Sequence, residues 1–302
     1  MLVYRLKEMF PMMIRILVFV VGTTILVHGH LNQTSEASLT ISHQARSLQP
    51  GEVVLLNVVA SVPTETVTAH AFDKTVYFFE AGQKRWQGLL GIDLQKKPGR
   101  YKIDVELTTT EGASLRKSYP ITVSPKDFPT RHLKVASNFV APPESVLERI
   151  LDETKRVAQI FGATAPQRLW EGPFEAPVPG STTSSFGRRS VFNGQPRNPH
   201  TGTDFRAAKN TPVKAPNAGV VVLSSELYFS GNTVILNHGW GLYSYLAHLS
   251  RTAVKEGESV ATGDIVGYVG ATGRVTGPHL HWTVRLNEAR VDPLSLITAL
   301  SY

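Results

Sequence analysis

The sequence predicts a mainly β protein in three parts: an N-terminal immunoglobulin-like β-sandwich, a helical connector and a C-terminal antiparallel β domain. Three observations carry that reading. From Ala37 to Val123 short β-type runs alternate with turn residues. Between Pro125 and Gly172 one stretch has apolar residues at helical spacing. From Pro173 onward the β pattern returns, and no long helical period interrupts it.

In the first part the candidate strands are 38–42, 53–59, 67–71, 75–79, 85–91, 101–107 and 115–123, with Gly51, Asp73, Gly82, Pro98-Gly99 and Glu111-Gly112 at or near the turns. About seven short strands in roughly ninety residues is the density of an immunoglobulin-like sandwich. No catalytic constellation falls in it, and His43 and His70 are isolated. In the connector, Ser145 and Glu148 form a capping-box pattern after Pro142-Pro143, and Val146, Leu147, Ile150, Leu151, Val157, Ile160 and Phe161 recur at helical spacing. That stripe predicts docking on a domain, with Glu144, Glu148, Asp152, Lys155 and Arg156 on the solvated side. The aromatics of 168–174 are expected to anchor the chain, and Trp170 is also weighed as a sugar-stacking residue. In the last part the candidate strands are 220–223, 232–237, 242–246, 265–269 and 281–286. The expected boundaries are 1–30 for an export signal, 37–124 for the sandwich, 125–172 for the connector and 173–302 for the C-terminal domain.

Composition narrows the function. A chain of 302 residues with 42% hydrophobic content can bury a substantial core. It has no cysteine, which removes disulfides, a thiolate nucleophile and any Cys-ligated zinc. The formal charge of +7 is spread along the sequence, so no nucleic-acid footprint is apparent. Arg5, Lys7 and Arg15 accompany the apolar run 16–27, shorter than the about 20 residues of a spanning helix. This predicts an exported protein of the periplasm or cell envelope. An uncleaved signal anchor is the alternative, and any membrane attachment would run through this segment alone.

The chemistry concentrates near the C-terminus. In Thr276-Gly277-Pro278-His279-Leu280-His281-Trp282 a loop opens a strand, and alternation puts His279 and His281 on one face, roughly 6.5 Å apart along the backbone, with Leu280 toward the core. Two polar residues on a half-exposed strand would look the same. Some eighty residues upstream, however, His200 and Asp204 sit four apart in a Thr-, Gly- and Pro-rich segment unsuited to a helix. A catalytic zinc takes three protein ligands from His and carboxylate and leaves a fourth position for water. His200, Asp204 and one of the two histidines would fill that requirement. His248, after the strand-like run 242–247, is available to handle protons.

These residues resemble the lysostaphin-type (LytM-type) zinc metalloendopeptidases, which cut peptide bonds in bacterial peptidoglycan. The resemblance runs from about Val178 to Leu296 and includes Ser184-Ser185-Phe186-Gly187-Arg188-Arg189, His200 to Asp204, 211–215, Asn237-His238-Gly239, 245–249 and Gly273 to His281. It implies one Zn2+ per chain held by His200, Asp204 and His281, with His248 and His279 as non-ligand catalytic histidines, on a small antiparallel sheet whose groove holds the zinc. His279 would then move the proton of the attacking water, and His248 would assist it or steady the oxyanion. His238 reads as structural. A tyrosine that some members carry before the first ligand is missing, and Asn193 and Gly194 stand there. Gly267, Gly270, Gly273 and Gly277 lack a Gly-Lys-Ser/Thr ending, so they shape turns beside the groove instead of cradling phosphate.

The implied function is an exported peptidase acting on peptidoglycan stem peptides, with no nucleic-acid partner. The export signal and the absence of a recognisable wall-targeting module favour D,D-endopeptidase action on direct cross-links, with the sandwich limiting access. Two other classes stay open: a non-catalytic peptidoglycan-binding or amidase-regulating module, and a zinc peptidase acting on peptides outside the wall.

Overall fold

Alternating burial marks most of the first seven strands, with β2 and β5 the exceptions: β1 Leu39–Gln44, β2 Val53–Ala60, β3 Thr64–Ala71, β4 Lys74–Glu80, β5 Arg85–Gly91, β6 Gly99–Thr109 and β7 Ser114–Val123. The computed structural model describes residues 38–134, 142–165, 167–184 and 186–301, so the expected signal at 1–30 lies outside the described residues. All seven expected strands of this part are present, with ends moved by a few residues. They pair in the order β1-β2-β5-β4-β3-β6-β7. The halves β1-β2-β5-β4 and β3-β6-β7 are joined into one seven-stranded sheet through the β3–β4 hairpin, and both send side chains into one apolar core, so the part expected to be a sandwich is seen as a continuous sheet around a shared core. Phe72 and Asp73 both have positive φ (53° and 61°) in that two-residue turn, the backbone that the twist of a hairpin requires.

The connector holds β8 (Thr130–Leu133), a 3-10 turn (Glu144–Val146) and α1 (Leu147–Gly162). The capping box is not formed. Ser145 lies inside the 3-10 turn, and Val146 caps α1 without a side-chain hydrogen bond. The apolar stripe divides: Val157, Ile160 and Phe161 pack against Leu223, Leu227, Ile235 and Tyr243, whereas Leu147 and Leu151 are exposed. The apolar docking is confined to the C-terminal half of the helix, while Glu153 in the first half accepts a hydrogen bond from the Tyr228 amide (2.8 Å).

The remaining elements are β9 (Thr182–Ser184), β10 (Arg189–Phe192), β11 (Gln195–Pro196), β12 (Gly202–Phe205), β13 (Pro212–Lys214), β14 (Gly219–Leu227), β15 (Gly231–Gly239), β16 (Leu242–Thr252), β17 (Ser259–Val260), β18 (Ile265–Val269), β19 (Leu280–Leu286), β20 (Ala289–Val291) and α2 (Pro293–Ala299). The main sheet has ten strands, with the path β17-β14-β15-β16-β19-β12-β9 and β13, β18 and β20 attached to it. A three-stranded sheet, β11-β10-β8, brings the connector alongside, with β8 parallel to β10. Among the described residues no helix is long and apolar enough to cross a membrane.

Residues 37–302 hold together as one compact unit because β2 is buried on both faces. Val54, Leu56 and Val58 enter the sandwich core, while Val53 and Leu55, with Leu89 of β5, join the core formed by β16, β19 and α2. Polar contacts close the same seam. Glu52 is 3% exposed and accepts hydrogen bonds from Arg46, Lys126 and Ser295, and Asp93 takes a two-pronged contact from Arg290. Trp170 is 2% exposed, edge-on to Phe79 at 5.3 Å and beside Phe174. It is an anchor between modules, and its burial removes the sugar-stacking role.

Candidate metal centre and active-site cleft

Cross-strand pairing assembles the centre. β12 and β16 flank β19 on opposite edges, so Asp204 lies directly across from His281, and Ala247 across from His281 on the other side. Facing residues in an antiparallel pair hold their Cβ atoms about 5 Å apart, within reach of one ion. Gly202 permits the approach: a Cβ there would lie 2.4 Å from the Trp282 carbonyl oxygen and 2.8 Å from the His281 ring. His200, in the loop before β12, is fixed by its backbone, which donates to the Arg188 carbonyl (2.9 Å) and accepts from Gly187 (2.8 Å).

The three side chains converge. His200 Nε2 lies 3.1 Å from Asp204 Oδ1 and 3.0 Å from His281 Nδ1, and His281 Nδ1 lies 2.8 Å from Asp204 Oδ1. Two donors each about 2.0 Å from a tetrahedral zinc stand ~3.3 Å apart, so this triangle of nitrogen and oxygen lone pairs fits such an ion after small outward shifts. These three residues also form the one group of potential metal ligands found among the described residues. His281 Nε2 donates to Thr283 Oγ1 at 2.8 Å, which leaves Nδ1 as the donor atom facing the triangle. Thr283 was not singled out in the sequence, although its place two residues beyond His281 on one strand face was the available signal.

His279 and His248 complete the cluster. His279 Nδ1 donates to the Gly277 carbonyl (2.9 Å) and His248 Nδ1 to the Thr272 carbonyl (3.0 Å). Each bond fixes the ring's orientation, and in the neutral imidazole it makes Nε2 the lone-pair atom. His279 Nε2 is 3.8 Å from Asp204 Oδ1, and the His248 and His279 ring centres are 4.9 Å apart. The glycine-rich loop thus supplies the two carbonyls that orient these rings. Strand alternation alone would point His248 into the core with Leu246. Instead β16 carries a bulge, with its register against β15 slipping between Val234↔Leu246 and Asn232↔Leu249, and His248 takes φ 65°. The bulge swings the ring into the cleft.

Electrostatics follow from burial and neighbours. Burial alone would raise Asp204, but hydrogen bonds from His200 and His281 and the charge they can carry hold it well below the usual carboxylate range. Burial, reinforced by the charges of His281 and His279, lowers His248 to about 3, so it is neutral near pH 7. His238 is set apart. It is fully buried, bonded to the Ala218 carbonyl (2.7 Å) and Ser244 Oγ (2.9 Å), and burial lowers it to about 4. It buttresses β15 and β16, as its structural reading requires.

The cluster opens into a cleft of about 1110 Å³. Its walls come from the connector and the C-terminal module: Arg131 and Leu133 on β8, and Val157 and Phe161 on α1. No lining residue belongs to Leu39–Val123, so among the described residues the connector, and not the sandwich, narrows the approach. Tyr245 lines the cleft with its hydroxyl bonded to Ser230.

Comparison with known proteins places this arrangement. Residues 198–293 match the model of "Peptidase family M23". The solved structure of a Pseudomonas aeruginosa protein assigned to peptidase M23 is similar at 33% identity with a TM-score of 0.66, over 84% of this chain and 97% of that one. The "DD-carboxypeptidase/endopeptidase Mpg" of Neisseria meningitidis serogroup B is 42% identical over 97 residues, 32% of this chain and 22% of that protein. The "Peptidoglycan DD-endopeptidase ShyC" of Vibrio cholerae is 30% identical over 195 residues, 64% of this chain and 44% of that protein. The chain therefore spans less than half the length of either curated relative. Matched over almost the whole of the Pseudomonas structure, and carrying the His-Asp-His triangle within the segment that the family model covers, this chain belongs to peptidase family M23.

Proposed function

We propose that the chain is an exported zinc metalloendopeptidase that hydrolyses peptide cross-links of bacterial peptidoglycan, acting as a D,D-endopeptidase in the periplasm or cell envelope. In this reading 37–124 is the sandwich module, 125–172 the connector and 173–302 the peptidase module. The observation that carries it is the donor triangle of His200, Asp204 and His281, with His248 and His279 beside it in the same cleft, each oriented through Nδ1 by a backbone carbonyl.

His200 Nε2, Asp204 Oδ1 and His281 Nδ1 would hold the ion. When bound, zinc supplies Lewis acidity, which activates water near neutral pH and polarises the scissile carbonyl. His279, 3.8 Å from the ligand carboxylate, accepts the proton of the attacking water at Nε2 and returns it to the leaving amine. His248 is an acceptor in its ground state, because Nδ1–H is committed to Thr272 and its depressed pKa keeps it neutral. Beside His279 it either assists that transfer or steadies the developing oxyanion. The names of the Neisseria and Vibrio relatives support the choice of D,D-cross-links.

The test is digestion of purified sacculi, cross-linked muropeptide dimers and pentaglycine by the zinc-loaded chain, with new termini identified by mass spectrometry. Cleavage of the dimers at the D-alanyl cross-link is expected. Release from pentaglycine alone would move the substrate assignment to glycine bridges, and a purified chain that takes up no zinc would favour a non-catalytic wall-binding role.

A further inference from the structure

The cleft is strongly asymmetric in charge. Five arginines line it, Arg131, Arg188, Arg206, Arg274 and Arg285, against the single carboxylate of Asp204. That carboxylate is already engaged by His200 and His281. A bound divalent ion would add to the excess.

The arginines stand around the metal triangle on separate elements. Arg188 is held beside His200 by the backbone bond between them. Arg206 follows Asp204 by two residues, just past the end of β12, and both line the cleft. Arg285 lies four residues beyond His281 on the same face of β19. Among the described residues none of Arg188, Arg206 and Arg285 has an ion-pair partner within 4 Å; the acids near Arg285 are taken, Glu288 by Lys74 and Asp93 by Arg290. Arg285 is half-buried, packs over the Phe161 ring at 5.1 Å and makes one long bond to the Glu288 carbonyl (3.3 Å). Its Nε is buried with no partner. A solvated surface arginine needs no explanation, but a cation sunk beside an aromatic wall without a counter-ion is costly unless something brings one.

Building on the peptidase reading, we propose that Arg188, Arg206 and Arg285 determine specificity by recognising free carboxylates of the substrate on either side of the bond to be cut. The preferred substrates are acidic cross-linked stem peptides, and peptides whose carboxylates are amidated or absent are poor ones. Guanidinium groups suit this task, since the planar fork meets a carboxylate with two parallel hydrogen bonds. A cationic groove with low-dielectric walls also concentrates anionic ligands.

The test measures binding apart from chemistry. The full-length, zinc-loaded chain with His279→Ala is titrated with a cross-linked muropeptide dimer bearing free carboxylates, and with the same dimer converted to carboxamides. The free acid should bind tighter by about tenfold or more, the scale of one charge-assisted hydrogen bond. That preference should vanish when Arg188→Gln and Arg206→Gln are combined, recover partly with the Lys replacements, and persist in Arg100→Gln on the sandwich. Equal affinities for the two dimers, or a preference that survives the double Gln change, would overturn carboxylate recognition. Cleavage by the wild-type chain is followed in parallel. Failure to cut either dimer would remove the peptidoglycan reading, while the binding comparison still decides the role of the arginines.

Discussion

The two β modules are both antiparallel, yet they use their irregularities differently. In the sandwich, the non-glycine residues with positive φ, Phe72, Asp73 and Lys84, all sit in hairpin turns. In the C-terminal module most do too, but His248 takes that backbone in the middle of β16. In the sandwich the buried polar residues are few, Glu52 and Thr109 among them, whereas the other module buries more, including Thr203, Asn217, Thr233, His238, Ser244 and Thr283. Regular alternation stabilises a scaffold. The departure at His248, tied down by the Thr272 carbonyl, turns that ring toward the candidate metal triangle.

That contrast predicts which readout each substitution moves. The largest effect belongs to the metal triangle: Asp204→Ala and His281→Ala should lose the about one zinc per chain and reduce turnover to background. Full zinc occupancy in both variants by atomic absorption would sink the ligand assignment. Next come His248→Ala and His279→Ala, which should keep the zinc and lose about 10²–10⁴-fold in kcat. Wild-type turnover in either variant would remove that histidine from the proton path.

Substitutions at the seam between modules should move stability and spare chemistry. Glu52→Ala leaves Arg46 and Lys126 around an emptied, largely buried position and should cost about 3 kcal/mol in urea unfolding, with zinc content unchanged. A loss below a few tenths would mean the seam contributes little. Smaller still is the pH effect of His238. Its folded value, about 4, lies below the ordinary 6.5, so the unfolded chain takes up the proton first as pH falls. The stabilising contribution is complete above pH 6.5 and fades toward pH 4, with a slope of at most about 1.4 kcal/mol per pH unit. Against His238→Gln, wild type should show this extra slope; parallel curves for the two would contradict neutral burial of the ring.

Much of this was legible in the sequence because it was local. Strand β5 was found at its observed limits, and His200, Asp204, His248, His279 and His281 are brought together in one cleft. What escaped depended on distant partners. β8 has four exposed residues and no alternation, and only its pairing to β10, some sixty residues on, makes it a strand. The bulge at His248 is a register slip against β15, invisible in a run that reads as continuous alternation. The doubly covered face of β2 did leave a trace: Val53-Val54-Leu55-Leu56 is apolar without a break, as a strand buried on both sides should be.

The seam between modules also sets a timetable. Asp292 caps α2 and bonds to Arg46, to Thr203 beside the ligand carboxylate, and through its own backbone to Gly51, while Ser295 caps the Val53 amide and meets Glu52. The bonds to Arg46, Gly51, Glu52 and Val53 join positions some 240 residues apart, so closure of a very long loop precedes them and their formation is intrinsically late. During synthesis the sandwich strands emerge long before the segment that covers Val53 and Leu55, and β19, which carries His281, arrives just ahead of it. On this order the contacts between α2 and the β2 edge are the last of the seam to form. A chain stopped at Val291 is expected to show early proteolysis within β2 and no zinc retention; a stable, zinc-bearing product would refute this order of events.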